Sequence, residues 1–120
     1  MPLLLASPYH LALDPQEAAA CKPYPPLGTL VSAAELRARG HEVAFYDATF
    51  NHDPRTFAAA LDGHRPTRVA LVSDPHAVPV KMCTVAQRNA ALAMLTLAKS
   101  RGAAVLVAGP DVTDHPELYE

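Results

Sequence analysis

Four clusters of small, hydroxyl, carboxylate or imidazole residues stand directly after short apolar runs. They are Ser7-Pro8-Tyr9-His10, Asp47-Ala48-Thr49, Ser73-Asp74-Pro75-His76 and Ala108-Gly109-Pro110-Asp111-Val112-Thr113. At the carboxyl ends of parallel strands, such residues line the crevice in which open α/β sheets bind ligands. Their types suit binding better than bond-breaking. Ser73, Asp74 and His76 are near neighbours, but adjacent residues on an extended loop diverge and do not form a nucleophile–base–acid relay. The histidines (His10, His41, His52, His64, His76 and His115) form no HxxxH or HxH pair, and Cys21 and Cys83 form no CxxC or zinc spacing. Only His10 and His76 fall within the four clusters.

The phosphate-cradling motifs are missing as well. No glycine lies between Ser7 and Gly28, so no G-x-G-x-x-G follows the first apolar run, and no G-x-x-x-x-G-K-[ST] occurs. Asp47 stands where a ribose-binding acid would stand in a dinucleotide site, without the glycines that normally accompany it. Thr29 and Ser32 fall in the first turns of an expected helix, whose N-terminus can attract an anion.

The elements that position these clusters follow from periodicity. Leu3 to Ser7 is a continuous apolar run, as expected of a strand covered on both faces. A proline-rich loop spans 8–26. A helix follows from about Leu27 to Arg39. Its Leu27, Leu30, Val31, Ala34 and Ala38 recur at helical spacing as one apolar face, of the kind that packs on a sheet, and Gly40 stops it. The second strand is Glu42 to Asp47. Asp53-Pro54 starts a short helix to Leu61 that buries Phe57 and Leu61. The third strand is Arg68 to Ser73. A long helix covers Met82 to Arg101, with Ala86, Ala90, Ala93, Met94 and Leu97 on one face and Val85, Leu92 and Leu95 widening the apolar surface toward a partner. Gly102 ends it, and the fourth strand is Ala103 to Ala108.

The order β-α-β-α-β-α-β predicts a Rossmann-like or flavodoxin-like α/β fold. Its parallel sheet is doubly wound, with four strands in this chain and no last β-α unit. A length of 120 residues suits one domain, 1–120. A net charge of −2 with no Lys/Arg run argues against a nucleic-acid partner. The apolar opening Met1-Pro2-Leu3-Leu4-Leu5-Ala6 is too short to span a bilayer and lacks a basic flank, so a cytoplasmic protein with no membrane partner is expected.

One stretch carries more than fold. Pro25-Pro26-Leu27-Gly28, then Ala33 and Leu36, then Gly40-His41-Glu42-Val43 and Asp47-Ala48, resembles the N-terminal cobalamin (vitamin B12)-binding domain of cobalamin-dependent radical S-adenosylmethionine (SAM) proteins. The run Ala104-Val105-Leu106-Val107-Ala108-Gly109-Pro110-Asp111-Val112-Thr113, with His115-Pro116-Glu117 after it, resembles a second motif of that domain, with Ala108 in place of a glycine. The resemblance implies that cobalamin lies against the strand ends. Ser7, Pro8, Tyr9, His10, Leu27 and Gly28 would line one side. Ser73, Asp74 and the loop to Pro79 would lie beside the corrin or its nucleotide tail, and Gly109 and Pro110 would let backbone approach that tail. Asp47 belongs to the same rim. Asp74-Pro75-His76-Ala77-Val78-Pro79 is similar to the D-x-H-x-x-G signature of other cobalamin proteins, with proline for glycine and after the third strand, which offers His76 as a cobalt axial ligand. No CxxxCxxC is present, so this chain by itself holds no radical-SAM iron–sulfur cluster and no catalytic set. The implied partners are cobalamin and a radical SAM domain, or a second copy through helix 82–101. Two other readings fit the residues: an interaction or dimerisation module without cofactor, and a nucleotide-binding domain with Asp47 on a ribose.

Overall fold

The computed structural model describes residues 2–13, 19, 26–50, 54–72, 84–109, 112–113 and 115–119. The regular elements are β1 (Leu3–Ser7), α1 (Leu27–Ala38), β2 (Val43–Asp47), α2 (Pro54–His64), β3 (Arg68–Val72), α3 (Thr84–Ser100) and β4 (Ala104–Ala108). Single 3-10 turns lie at Leu11–Leu13 and Pro116–Tyr119. The four strands form one parallel sheet in the order β2-β1-β3-β4. This is the α/β architecture expected from the sequence, compatible with a Rossmann-like or flavodoxin-like fold.

The strand order decides where the helices go. The chain steps one way from β1 to β2, then back across β1 to β3 and onward to β4. Right-handed crossovers therefore put α1 on one face and both α2 and α3 on the other. The core divides accordingly. Leu4, Ala6, Val69 and Leu71 meet Phe57, Leu61, Met94, Leu95 and Ala98 beneath α2 and α3. Leu5, Val43 and Ala70 meet Ala33 beneath α1. Alternate strand residues supply the two sets, as a pleated strand requires.

Helix α2 buries Phe57 and Leu61, each 2% exposed, as its spacing predicts, and Phe57 packs on Tyr46 with ring centroids 5.1 Å apart. It runs past Leu61 through Gly63 to His64. Arg65 then closes it with a left-handed φ of 46°, its N–H donating to the Leu61 carbonyl at 2.9 Å. The helix-to-strand joint at Gly40 recurs at Gly102. His41 N bonds Leu36 O, Ala103 N bonds Ala98 O, and the two glycines take φ of 88° and 79°.

Two expected faces differ from the structure. Helix α1 turns Thr29, Ala33 and part of Leu36 to the sheet, while Leu27, Leu30, Val31, Ala34 and Ala38 lie outward and exposed. Small inner residues let the helix approach closely. The inner hydroxyl of Thr29 is satisfied, donating to the Val72 carbonyl at 3.3 Å. Helix α3 buries Ala91, Met94, Leu95 and Ala98, whereas Ala93 is exposed and Ala86, Ala90, Leu92 and Leu97 are half-buried. It touches the sheet on one side and α2 on another, which accounts for its broad apolar surface. The expected helix start at Met82 lies outside the described residues, as does Ser73 at the end of the third strand.

Candidate functional site

The carboxyl ends of the strands form a rim whose reversal point lies between β1 and β3, where the strand order turns back. Its floor is small and closed. Ser7 is 2% exposed and Ala48 fully buried, and Ala48 N donates to Ser7 O at 3.1 Å, joining the ends of β1 and β2. Asp47 closes the turn after β2. Its Oδ1 accepts from Thr49 N at 3.0 Å and from Thr49 Oγ1 at 2.6 Å. This carboxylate oxygen thus works in a local Asx turn, which weakens the case for Asp47 as a ribose acid.

The segment after β1 runs across one side of the rim as a strap. Pro8 is buried, and Tyr9 and His10 are half-buried. Gln87, in the first turn of α3, grips both backbone groups of His10: Oε1 accepts from His10 N at 2.9 Å and Nε2 donates to His10 O at 2.7 Å. Leu11 N donates to Thr49 O at 2.9 Å and ties the strap to the turn after β2. The His10 ring nitrogen Nδ1 lies 2.8 Å from Pro8 O. A carbonyl only accepts, so Nδ1 carries the hydrogen in this bond.

Opposite the strap, α1 begins at the rim with Leu27 and Gly28 exposed. Gly109 follows β4 at φ 145°, a conformation a side-chain-bearing residue rarely takes, and its carbonyl accepts from Thr113 N at 3.1 Å and Thr113 Oγ1 at 2.9 Å. Ser73, Asp74, His76 and Pro110 lie outside the described residues. The structure thus brings Ser7, Pro8, Tyr9, His10, Leu27, Gly28, Asp47 and Gly109 to one end of the sheet.

Sequence reasoning passed over three contributors. Phe50 directly follows the Asp47–Thr49 turn and is 67% exposed, and Val85 opens α3 at 63%. With Leu27 at 61%, they stand where the chain passes from β2, β3 and β1 to the next helices. Gln87 is the third. Phe50 was legible as an aromatic beside a strand end, whereas Gln87 acts on a backbone 77 residues away, which no local pattern reveals.

A cleft of about 400 Å³ lies at the opposite end of the strands, among Pro2, Arg37, Glu42, Phe45 and His64. Arg37 there spends Nε and Nη2 on the Val43 carbonyl, at 3.1 and 2.8 Å. Strand-end chemistry favours the rim over this cleft. Among the described residues, no group of three or more His, Cys, Asp or Glu side chains could hold a metal ion, and no helix is long and apolar enough to cross a membrane.

No family model matches the chain, and no curated protein matches it. A solved structure of TesA is similar over 99% of this chain and 67% of that one, with a TM-score of 0.51 and 17% identity. At that identity the likeness bears on the fold alone.

Proposed function

We propose that the chain is a cobalamin-binding module, non-catalytic alone, that serves a radical SAM domain. One observation supports the reading: Leu27, Phe50 and Val85, each more than 60% exposed, follow β1, β2 and β3 in the chain, while Ser7 and Ala48 at the strand ends are buried. A flat macrocycle needs apolar contact on its face and small residues where it approaches backbone. Gly109 meets the second need, and the resemblance of Pro25 to Ala48 supplies the identity of the ligand. Cobalamin, when bound, supplies the organometallic chemistry of cobalt. The chain's own residues bind and orient. Gln87 holds the His10 strap, Thr49 and Asp47 fix the turn that carries Phe50, and Thr29 fixes the start of α1. The resemblance offers His76 as the residue that would hold the cobalt through an imidazole nitrogen.

The nucleotide-binding alternative has less support, because Asp47 Oδ1 is already engaged by Thr49. The proposal is tested by incubating purified protein with hydroxocobalamin and desalting. The protein fraction is expected to keep the corrin absorption bands, and a colourless fraction from folded protein refutes the module. His76→Ala is expected to move those bands. Unmoved bands with cofactor retained would remove His76 from the cobalt and leave the slot in place.

A further inference from the structure

The end of the sheet opposite the rim has a charge of its own. Arg37 lies in the last turn of α1, with Arg39 just beyond it. Arg65 follows α2, and Arg68 opens β3. Lys99 lies in the last turn of α3, with Arg101 beyond it. These are most of the chain's ten Lys and Arg residues. In a parallel sheet with crossover helices, helix ends and strand starts share one pole, so the topology gathers them there. Arg39 is neutralised by Glu35, and Arg101 by Asp62. Among the described residues, Arg37, Arg65, Arg68 and Lys99 pair with no carboxylate. Helix dipoles favour cations at these positions, but a dipole does not hollow out a cleft among them.

The cleft of about 400 Å³ lies at this pole. That volume falls within the range of small-molecule sites, about 300–1,000 Å³. Its ionisable lining is Arg37, Glu42 and His64, and Pro2, Phe45 and Pro66 supply apolar walls. Arg37 is fixed before any ligand arrives. Its Nε and Nη2 donate side-on to the Val43 carbonyl, at 3.1 and 2.8 Å. That grip sets the guanidinium plane and leaves the end-on Nη1/Nη2 fork unpartnered among the described residues. Such a fork matches two oxygens of a phosphate. A group already held in place loses little freedom on binding.

Glu42 shares the cleft and pairs with no cation among the described residues. A carboxylate only accepts hydrogen bonds, so it repels a bare anion and favours one that brings a hydroxyl donor. His64 ends α2 and adds a ring N–H to the same space.

We propose that this cleft binds a small phosphate monoester that carries hydroxyl groups, with its phosphate on the Arg37 fork and a hydroxyl on Glu42. The site stands apart from the rim and does not depend on the cobalamin reading.

Nuclear magnetic resonance titration of nitrogen-15-labelled wild type tests this, at constant pH and ionic strength, with glycerol phosphate, inorganic phosphate and glycerol as probes. Glycerol phosphate is expected to give saturable shifts at the Val43 and Phe45 amides and the Arg37 Nε–H. Inorganic phosphate is expected to bind more weakly, and glycerol to leave the spectrum unchanged. Arg37→Lys keeps the charge without the fork and is expected to weaken glycerol phosphate by ~10-fold or more. His64→Glu, at an exposed position, is expected to weaken it comparably with unchanged far-UV circular dichroism. Lys99→Gln removes a cation of the same pole outside the cleft and is expected to change the affinity by less than ~2-fold. Absence of saturable shifts overturns the proposal. So does inorganic phosphate binding as tightly as glycerol phosphate. Equal weakening by Lys99→Gln and Arg37→Lys also overturns it, since that marks diffuse attraction to the pole and not a site.

Discussion

On one face of the sheet, α2 and α3 lie side by side, and Phe57, Leu61, Met94, Leu95 and Ala98 close over Leu4, Val69 and Leu71. On the other, among the described residues, α1 presses Ala33 onto Leu5, Val43 and Ala70, and Leu106 and its own Leu27 and Val31 are exposed. The strands alternate apolar residues equally toward both faces, so the asymmetry comes from the helices and not from the sheet. A strand pattern therefore reports how many faces a sheet buries, but not how deeply the described helices cover each one.

The sharpest way to break this comparison is a matched pair of truncations. Leu61→Ala on the closed face is expected to cost about 2–5 kcal/mol in urea denaturation. Leu106→Ala on the open face, where the side chain is 64% exposed, is expected to stay within ~0.5 kcal/mol. Comparable losses would mean that the open face is covered after all.

The strap provides the next largest effect. Gln87 leads from the closed face to the rim, and Gln87→Ala removes the acceptor of His10 N and one of the two donors to His10 O, which keeps Leu13 N at 3.1 Å. A loss of about 1–2 kcal/mol is expected, with faster amide exchange at His10. Exchange unchanged at His10 would show that the strap is held from elsewhere.

Smaller still is the end of α2. Arg65 holds a left-handed conformation that costs a side-chain-bearing residue about 1–2 kcal/mol. Arg65→Gly is expected to recover part of this, net of the added freedom of the unfolded chain, as a rise in the urea midpoint. The smallest effect belongs to the ion pair joining the ends of α2 and α3, where Arg101 Nε lies 2.9 Å from Asp62 Oδ1. The hydrogen bond from Arg101, with its charge and that of Arg65, holds the Asp62 carboxyl below the usual carboxylate range. The unfolded chain then binds the proton more tightly. The pair's contribution is complete above the unfolded carboxylate's titration and disappears as pH falls through the lower folded value. Both groups are exposed, so the effect is small and screened by salt. Arg101→Ala is expected to flatten this part of the acid limb of the stability profile, and an unchanged limb would assign it to other carboxylates.

The elements were legible because each is marked by local chemistry. Leu3 to Ser7 is a strand by its unbroken apolar run, and Gly40 and Gly102 mark the two helix ends. The inner side of α1 was not legible. Its apolar stripe points to solvent, and the residues that touch the sheet include Thr29, whose polarity is neutralised only by a carbonyl 43 residues away. The rim was legible as a set of strand ends. That Asp47 closes its own turn, and that Gln87 holds the strap, depends on contacts that no spacing rule encodes.

The most direct measurement is equilibrium dialysis of hydroxocobalamin against wild type, Leu106→Lys and Phe50→Asp. The expected result is one cofactor retained per chain by wild type and by Leu106→Lys, whose substitution lies on the open face, and at least tenfold weaker retention by Phe50→Asp at the rim. Equal cofactor on both sides of the membrane with folded wild type would contradict the cobalamin reading outright.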